Sequence, residues 1–157
     1  MIPVTTMNEL NCIIRVAVPG DAVAVGTLAT EFGYPNNHAE TADRLRGVLA
    51  SPGHMVLVAE TAQQTIIGWV HVFGAVRVES GAFAELGGLV VAKSWRGRGA
   101  GAQLVAAAEL WALDNGYHKL RIRSREERTE AHGFFQRLGF GGCKTQRVFE
   151  RPLAGDP

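Results

Sequence analysis

Arg96-Gly97-Arg98-Gly99-Ala100-Gly101 sets three glycines at alternate positions between an apolar, strand-like stretch (86–92) and a helix-like one (102–113). Glycine removes side-chain bulk where the chain turns into a helix, so backbone N–H groups can point outward beside the positive end of the helix dipole. Two arginines add charge. That combination suits a pyrophosphate, and a pyrophosphate implies a nucleotide-bearing cofactor. A dinucleotide fold would need Gly-x-Gly-x-x-Gly and an acidic residue about twenty positions on. Here the spacing is Gly-x-Gly-x-Gly, and position 119 is a lysine. A Walker loop ends in Gly-Lys-Ser or Gly-Lys-Thr, whereas Gly101 is followed by Ala102-Gln103. Both spacings fail.

The 157 residues around this loop amount to one domain. They are 46% hydrophobic and 20% charged, the balance of a globular protein that can bury a core. A net charge of +1 argues against a nucleic-acid binder working by bulk electrostatics. The six basic residues between Lys119 and Arg137 are interleaved with Glu126, Glu127 and Glu130, which reads as a solvated mixed-charge surface. Cys12 and Cys143 lie far apart without ligand spacing, so neither a disulfide framework nor a zinc site is expected and no metal is called for. Neither a secretory signal nor an apolar run of about 20 residues is seen, so no membrane partner is expected and a cytoplasmic location is.

Read outward from the loop, residues 13–18 form a first strand bounded by Pro19-Gly20-Asp21, with Asp21 expected to cap a first helix. Asn37 or His38 starts a second helix that Ser51-Pro52-Gly53 stops. Strands over 54–60, 65–78 and 82–92 make an antiparallel meander. The helix after the glycine turn ends at Asn115-Gly116. A short strand (120–124) alternates Leu120 and Ile122 with Arg121 and Arg123. Thr129 is expected to cap a last helix, stopped by Gly139, and residues 140–150 to close the sheet. The order is β-α-α-β-β-β-α-β-α-β: an α/β fold with a mixed, mostly antiparallel central sheet flanked by helices. Residues 1–12 read as an N-terminal extension, 13–151 as the domain and 152–157 as a tail.

This order, with Arg-x-x-Gly-x-Gly at the fourth strand's exit, resembles the GNAT N-acetyltransferase superfamily. Arg96, Gly99 and Gly101 match its phosphate loop, Arg/Gln-x-x-Gly-x-Gly/Ala. Ala131-His132-Gly133-Phe134-Phe135-Gln136-Arg137-Leu138-Gly139-Phe140 is similar to its Ala-x-x-Phe-Tyr-x-x-Leu-Gly-Phe helix and turn. The resemblance spans nearly the whole chain. It implies acetyl-CoA as donor, with Arg96, Gly97, Arg98, Gly99, Ala100 and Gly101 on the pyrophosphate and the backbone of Leu89, Val90 and Val91 on the pantetheine arm. It also implies transfer to an amine by direct attack, a backbone N–H of the splayed fourth strand polarising the thioester carbonyl. Homodimers are common in the family, so self-association is an expectation.

One residue departs from the pattern. The second position of the Phe-Tyr pair, beside the coenzyme, often supplies the general acid for the leaving thiolate, and here it is Phe135. A free thiol has a pKa near 8.5, so coenzyme A leaves without a strong acid; Ser124 and His132 are candidate substitutes. Glu85, four residues before Leu89, is the candidate base, with a substrate-binding anion or an exposed strand residue as its bland alternatives. His71, a second candidate base, shares a strand face with Trp69 and is otherwise a packed strand histidine or an acceptor-site residue. Tyr34, between the first two helices, is a candidate acceptor-site wall or a turn aromatic. The primary reading is an N-acetyltransferase acting on a small-molecule primary amine. Resistance-type aminoglycoside acetylation falls within it, although such polycations usually meet a strongly acidic pocket and the acids here are scattered. Phe135 motivates a second reading, a catalytically weak acyl-CoA sensor, and peptide or protein N-acetylation is a third.

Overall fold

The computed structural model describes residues 11–155. The chain divides into two compact units, the first ending at Arg123 and the second starting at Ser124. In the first, β1 (Cys12–Val16) leads through a 3-10 turn (Pro19–Asp21) into α1 (Ala22–Glu31) and α2 (His38–Ala50). Then follow β2 (His54–Thr61), β3 (Ile66–Arg77), β4 (Gly81–Val91), a 3-10 turn (Lys93–Trp95), α3 (Ala100–Asp114) and β5 (Leu120–Ile122). The second unit carries α4 (Thr129–Arg137). Most of the expected extension lies outside the described residues. Among the described residues no helix is long and apolar enough to cross a membrane.

The five strands run in chain order across one sheet, antiparallel except for β4 and β5. Neighbouring residues of a strand point to opposite faces, and two core layers follow. Trp69 lies with Ala17, Ala22, Val25, Leu45, Val56 and Val58, on the face covered by α1 and α2. Gly68 meets the Leu104 side chain of α3 on the other face. The fully buried Phe83, Ile67, Leu104 and Val70 each contribute about 1.5–3 kcal/mol by leaving water.

Two irregularities shape the sheet near the glycine loop. His71 pairs with Gly88 but Val72 pairs with Leu86, so Gly87 is an extra residue and β4 bulges there. Pairing of β4 with β5 covers only Ala84 to Leu86, opposite Leu120 to Ile122. From the bulge onward β4 keeps its ladder with β3, and among the described residues no strand flanks its other edge.

The mixed, mostly antiparallel fold is the expected one, with corrections at three places. The strand expected over 140–150 is not formed: Gly141 to Glu150 are exposed and carry no strand pairing. Gly141 and Gly142 open that segment with two residues that lose the most freedom on ordering and offer no side chain to pack. Asp21 does not cap α1 with its side chain; its carboxylate turns back to the Val18 N–H at 2.8 Å and to Arg15. The Arg15 guanidinium engages both carboxylate oxygens with a full opposite charge, whereas a cap would offer only neutral amides. Thr129 is the first residue of α4 and Arg128 its uncapped N-cap. Asn37 does cap α2, accepting from the Glu40 N–H at 3.0 Å.

Candidate active site

The loop between β4 and α3 is exposed from Arg96 to Gly99. Gly97 has φ +77° and Gly99 φ +96°, conformations that L side chains rarely adopt, and nothing lies within 4 Å of where a Cβ would stand. Gly99 is the N-cap of α3, and no side chain caps that terminus. The first turn's N–H groups therefore face outward at the positive end of the helix. Both arginines are braced by aromatic rings. The Arg96 guanidinium lies 5.7 Å from the Phe32 ring centroid, and its Nε donates to the Val91 carbonyl at 3.3 Å. Arg98 lies 4.8 Å from the Trp95 ring. Each such contact contributes about 0.5–1 kcal/mol at an exposed site and holds a cation beside the uncapped amides. Glu31, at the end of α1, accepts from the Lys93 N–H and ties the loop's root to that helix.

The open edge of β4 lies just upstream. Ala92 N–H donates to the Ile67 carbonyl of β3 at 2.8 Å, and backbone groups alternate sides along a strand. Leu89 and Val91 therefore turn their N–H and C=O to the side that β5 has left. Val90 turns toward β3, with its side chain buried beside Leu28 and Ala92. An extended acyl-carrier arm can add to this edge as a short strand does. The donors at the loop and the free edge together fit a pyrophosphate joined to an amide-containing arm.

Glu85, Phe73, His71 and His54 lie on one face of the sheet: Phe73 pairs with both His54 and Glu85, and His71 stands two residues before it on β3. Glu85 is only 9% exposed, and its Oε1 accepts from Arg123 Nε at 2.9 Å. Arg121, on the same face of β5, lies 4.2 Å from the Phe83 ring. His71 Nε2 is 2.9 Å from His54 Nδ1. A Cβ at Gly87 would stand 2.7 Å from His71 Nδ1, so only glycine leaves room for that ring beside the bulge. Burial, and secondarily the neighbouring His54, push the His71 pKa below its usual 6.5. Trp69, next along the face, has a buried indole N–H without a hydrogen-bond partner among the described residues.

Tyr34 is 49% exposed and stacks on Phe32 at 6.2 Å, beyond the end of α1. In the second unit, His132 Nε2 donates to the Arg125 carbonyl at 2.9 Å, and Ser124 Oγ is 3.5 Å from that oxygen. Phe135 packs edge-on against Phe134 and Phe140, with centroids 5.2 and 5.7 Å away. The structure thus gathers Glu85 and His71 on one face and Arg96 to Gly101 at the loop. His54 and Arg123 escaped the sequence reading. The alternation of Arg121 and Arg123 was a signal for the second; His54 reaches His71 only through strand register.

A bulged sheet edge opening onto an uncapped helix with glycines and arginines defines an acyltransferase that takes its acyl group from coenzyme A. Residues 23–140 match the acetyltransferase (GNAT) family model. Aminoglycoside N(6')-acetyltransferase type 1 of Stenotrophomonas maltophilia is 32% identical over 148 residues, covering 89% of this chain and 93% of that relative. The chain belongs to the GNAT family and is an acetyl-CoA-dependent N-acetyltransferase. The solved structure of AAC(6')-Iy with the bisubstrate analogue CoA-S-monomethyl-acetylneamine shares the fold, with a TM-score of 0.81 at 19% identity over 91% of this chain and 99% of that one. Apo AAC(6')-IG of Acinetobacter haemolyticus does so at 0.79 and 17%, over 90% and 99%.

Proposed function

We propose that the chain acetylates a primary amine of a small molecule by direct attack, and that the acceptor is an aminoglycoside bearing a 6'-amino group. The 32% identity to the Stenotrophomonas enzyme over nearly the whole of both chains carries this reading. The site chemistry agrees with a cationic acceptor. Glu85 sets a carboxylate beside the bulge, where an ammonium can be drawn in, and Tyr34 and His71 complete the candidate acceptor set.

In this mechanism Arg96 to Gly101 hold the pyrophosphate, and the outward amides of Leu89 and Val91 align the pantetheine arm. A β4 backbone N–H polarises the thioester carbonyl as charge develops on its oxygen. Holding both reactants in line supplies much of the acceleration. The thiolate leaves unaided, because a thiol with a pKa near 8.5 is a good leaving group.

The test is incubation with acetyl-CoA and neamine, and separately with simple diamines and a short peptide, following free thiol and locating the acetyl group by NMR. Acetylation of the 6'-amine is expected. Turnover of diamines alone would overturn the aminoglycoside reading, and turnover of the peptide alone would replace it with peptide acetylation. Coenzyme binding without turnover on any acceptor would favour a sensor.

A further inference from the structure

We propose that His71 takes the acceptor amine's proton on Nδ1, and that His54 is the positioning residue that keeps that nitrogen unprotonated by holding His71 in its Nε2–H tautomer. The proposal rests on the amine-acceptor reading above.

A neutral imidazole donates from one nitrogen and accepts at the other. Only one hydrogen fits between His54 Nδ1 and His71 Nε2 at 2.9 Å. If His71 donates, both rings carry their hydrogen on Nε2, the intrinsically preferred form, and His71 Nδ1 keeps its lone pair. That nitrogen is the one beside Gly87, an exposed residue at the point where β5 leaves β4. Phe73 fixes the ring planes, stacking on His54 at 5.2 Å and lying 5.4 Å from His71. Burial keeps His71 uncharged near neutral pH, as a base must be.

The charged groups on the surrounding elements are otherwise engaged. Glu85 is paired with Arg123, and Arg121 covers Phe83. On α1, Glu31 accepts from Lys93 N–H. On α2, Glu40 pairs with Arg44 and Asp43 with Arg46, and His38 is exposed. His54 is thus the ionisable side chain in direct contact with His71.

The step balances. From the ammonium, one N–H bond breaks as the His71 Nδ1–H bond forms, and the freed lone pair makes the new N–C bond; the second surplus proton on that nitrogen passes to the departing thiolate or to water. The thioester C–S bond breaks with its electrons on sulfur, and the imidazolium proton is released to water.

The test uses the whole chain with acetyl-CoA and neamine, recording kcat/KM against pH. His71→Gln should lower kcat about 100-fold or more and remove the acidic limb. His54→Phe should lower kcat about 10-fold or more and shift that limb, with KM for acetyl-CoA unchanged. His54→Asn, whose amide oxygen can accept from His71 Nε2–H, should restore most of the activity. Full activity in His54→Phe, or equal damage in His54→Asn, would overturn the proposal. Nitrogen-15 NMR of the wild-type imidazoles reads the tautomer without any acceptor. A bare Nδ1 on His71 supports the proposal and a protonated one sinks it, even if neamine is not a substrate and the aminoglycoside reading fails alone.

Discussion

Replacing Gly99 with valine should separate the fold from the coenzyme site. At φ +96° a β-branched residue is strained by about 1–3 kcal/mol, which for a chain of this size lowers the melting temperature by about 2–12 °C. Nothing lies within 4 Å of the new Cβ, so no core contact is disturbed and the protein should fold. The larger effect falls on the ligand. A side chain at the N-cap of α3 obstructs the uncapped amides, and each hydrogen bond from an amide to a charged oxygen contributes about 1.5–3 kcal/mol. Losing two weakens acetyl-CoA binding by about 3–6 kcal/mol, or at least about 100-fold. Calorimetric titration with coenzyme A measures this directly. Acetyl-pantetheine, which lacks the pyrophosphate, is the control: its turnover should change little. Unaltered affinity for coenzyme A in a folded Gly99→Val protein would refute the phosphate-loop assignment.

Two further substitutions probe stability and chemistry. Arg15 holds buried Asp21 through two contacts of 2.9 Å and reaches Glu60 at the same distance. Arg15→Met should cost about 2–4 kcal/mol, below the range for a fully buried pair because Arg15 is partly exposed. Arg15, and then the Val18 N–H, hold the Asp21 carboxyl below its usual 3.8 against the opposing effect of burial. The stabilisation is therefore full above pH 3.8 and lost as pH falls through the depressed value. Urea unfolding from pH 6 downward should show the gap between variant and wild type closing in that acid range. Phe135→Tyr should leave turnover equal or a few-fold higher, since thiolate departs well unaided; a large loss would place Phe135 in the acceptor pocket.

How much of this was legible depends on distance along the chain. Glycines at alternate positions, an adjoining strand and helix, and a second motif about 40 residues on state their backbone geometry locally. The anion-binding loop could therefore be read directly, and the resemblance carried by the two motifs implied the coenzyme. Asn37, one of two starts read for the second helix, proves to be its cap, a contact between residues three apart. Asp21 misled because its competing partner, Arg15, was invisible as such. Residues 140–150 misled because a strand forms only against a partner, and pairing is not a property of the segment.

What the sequence determined by itself was the order of elements from β1 to α4, the glycine turn before α3 and its suitability for a pyrophosphate. Register, burial and the meeting of distant side chains belonged to the tertiary structure. The bulge at Gly87 turns Glu85 and Gly88 to one face, and it arises only when β4 lies against β3. The His54–His71 contact spans 17 residues and two strands, and that of Glu85 with Arg123 spans 38. Strand pairing alone brings such groups within hydrogen-bond distance, because a one-residue slip would send each to the opposite face.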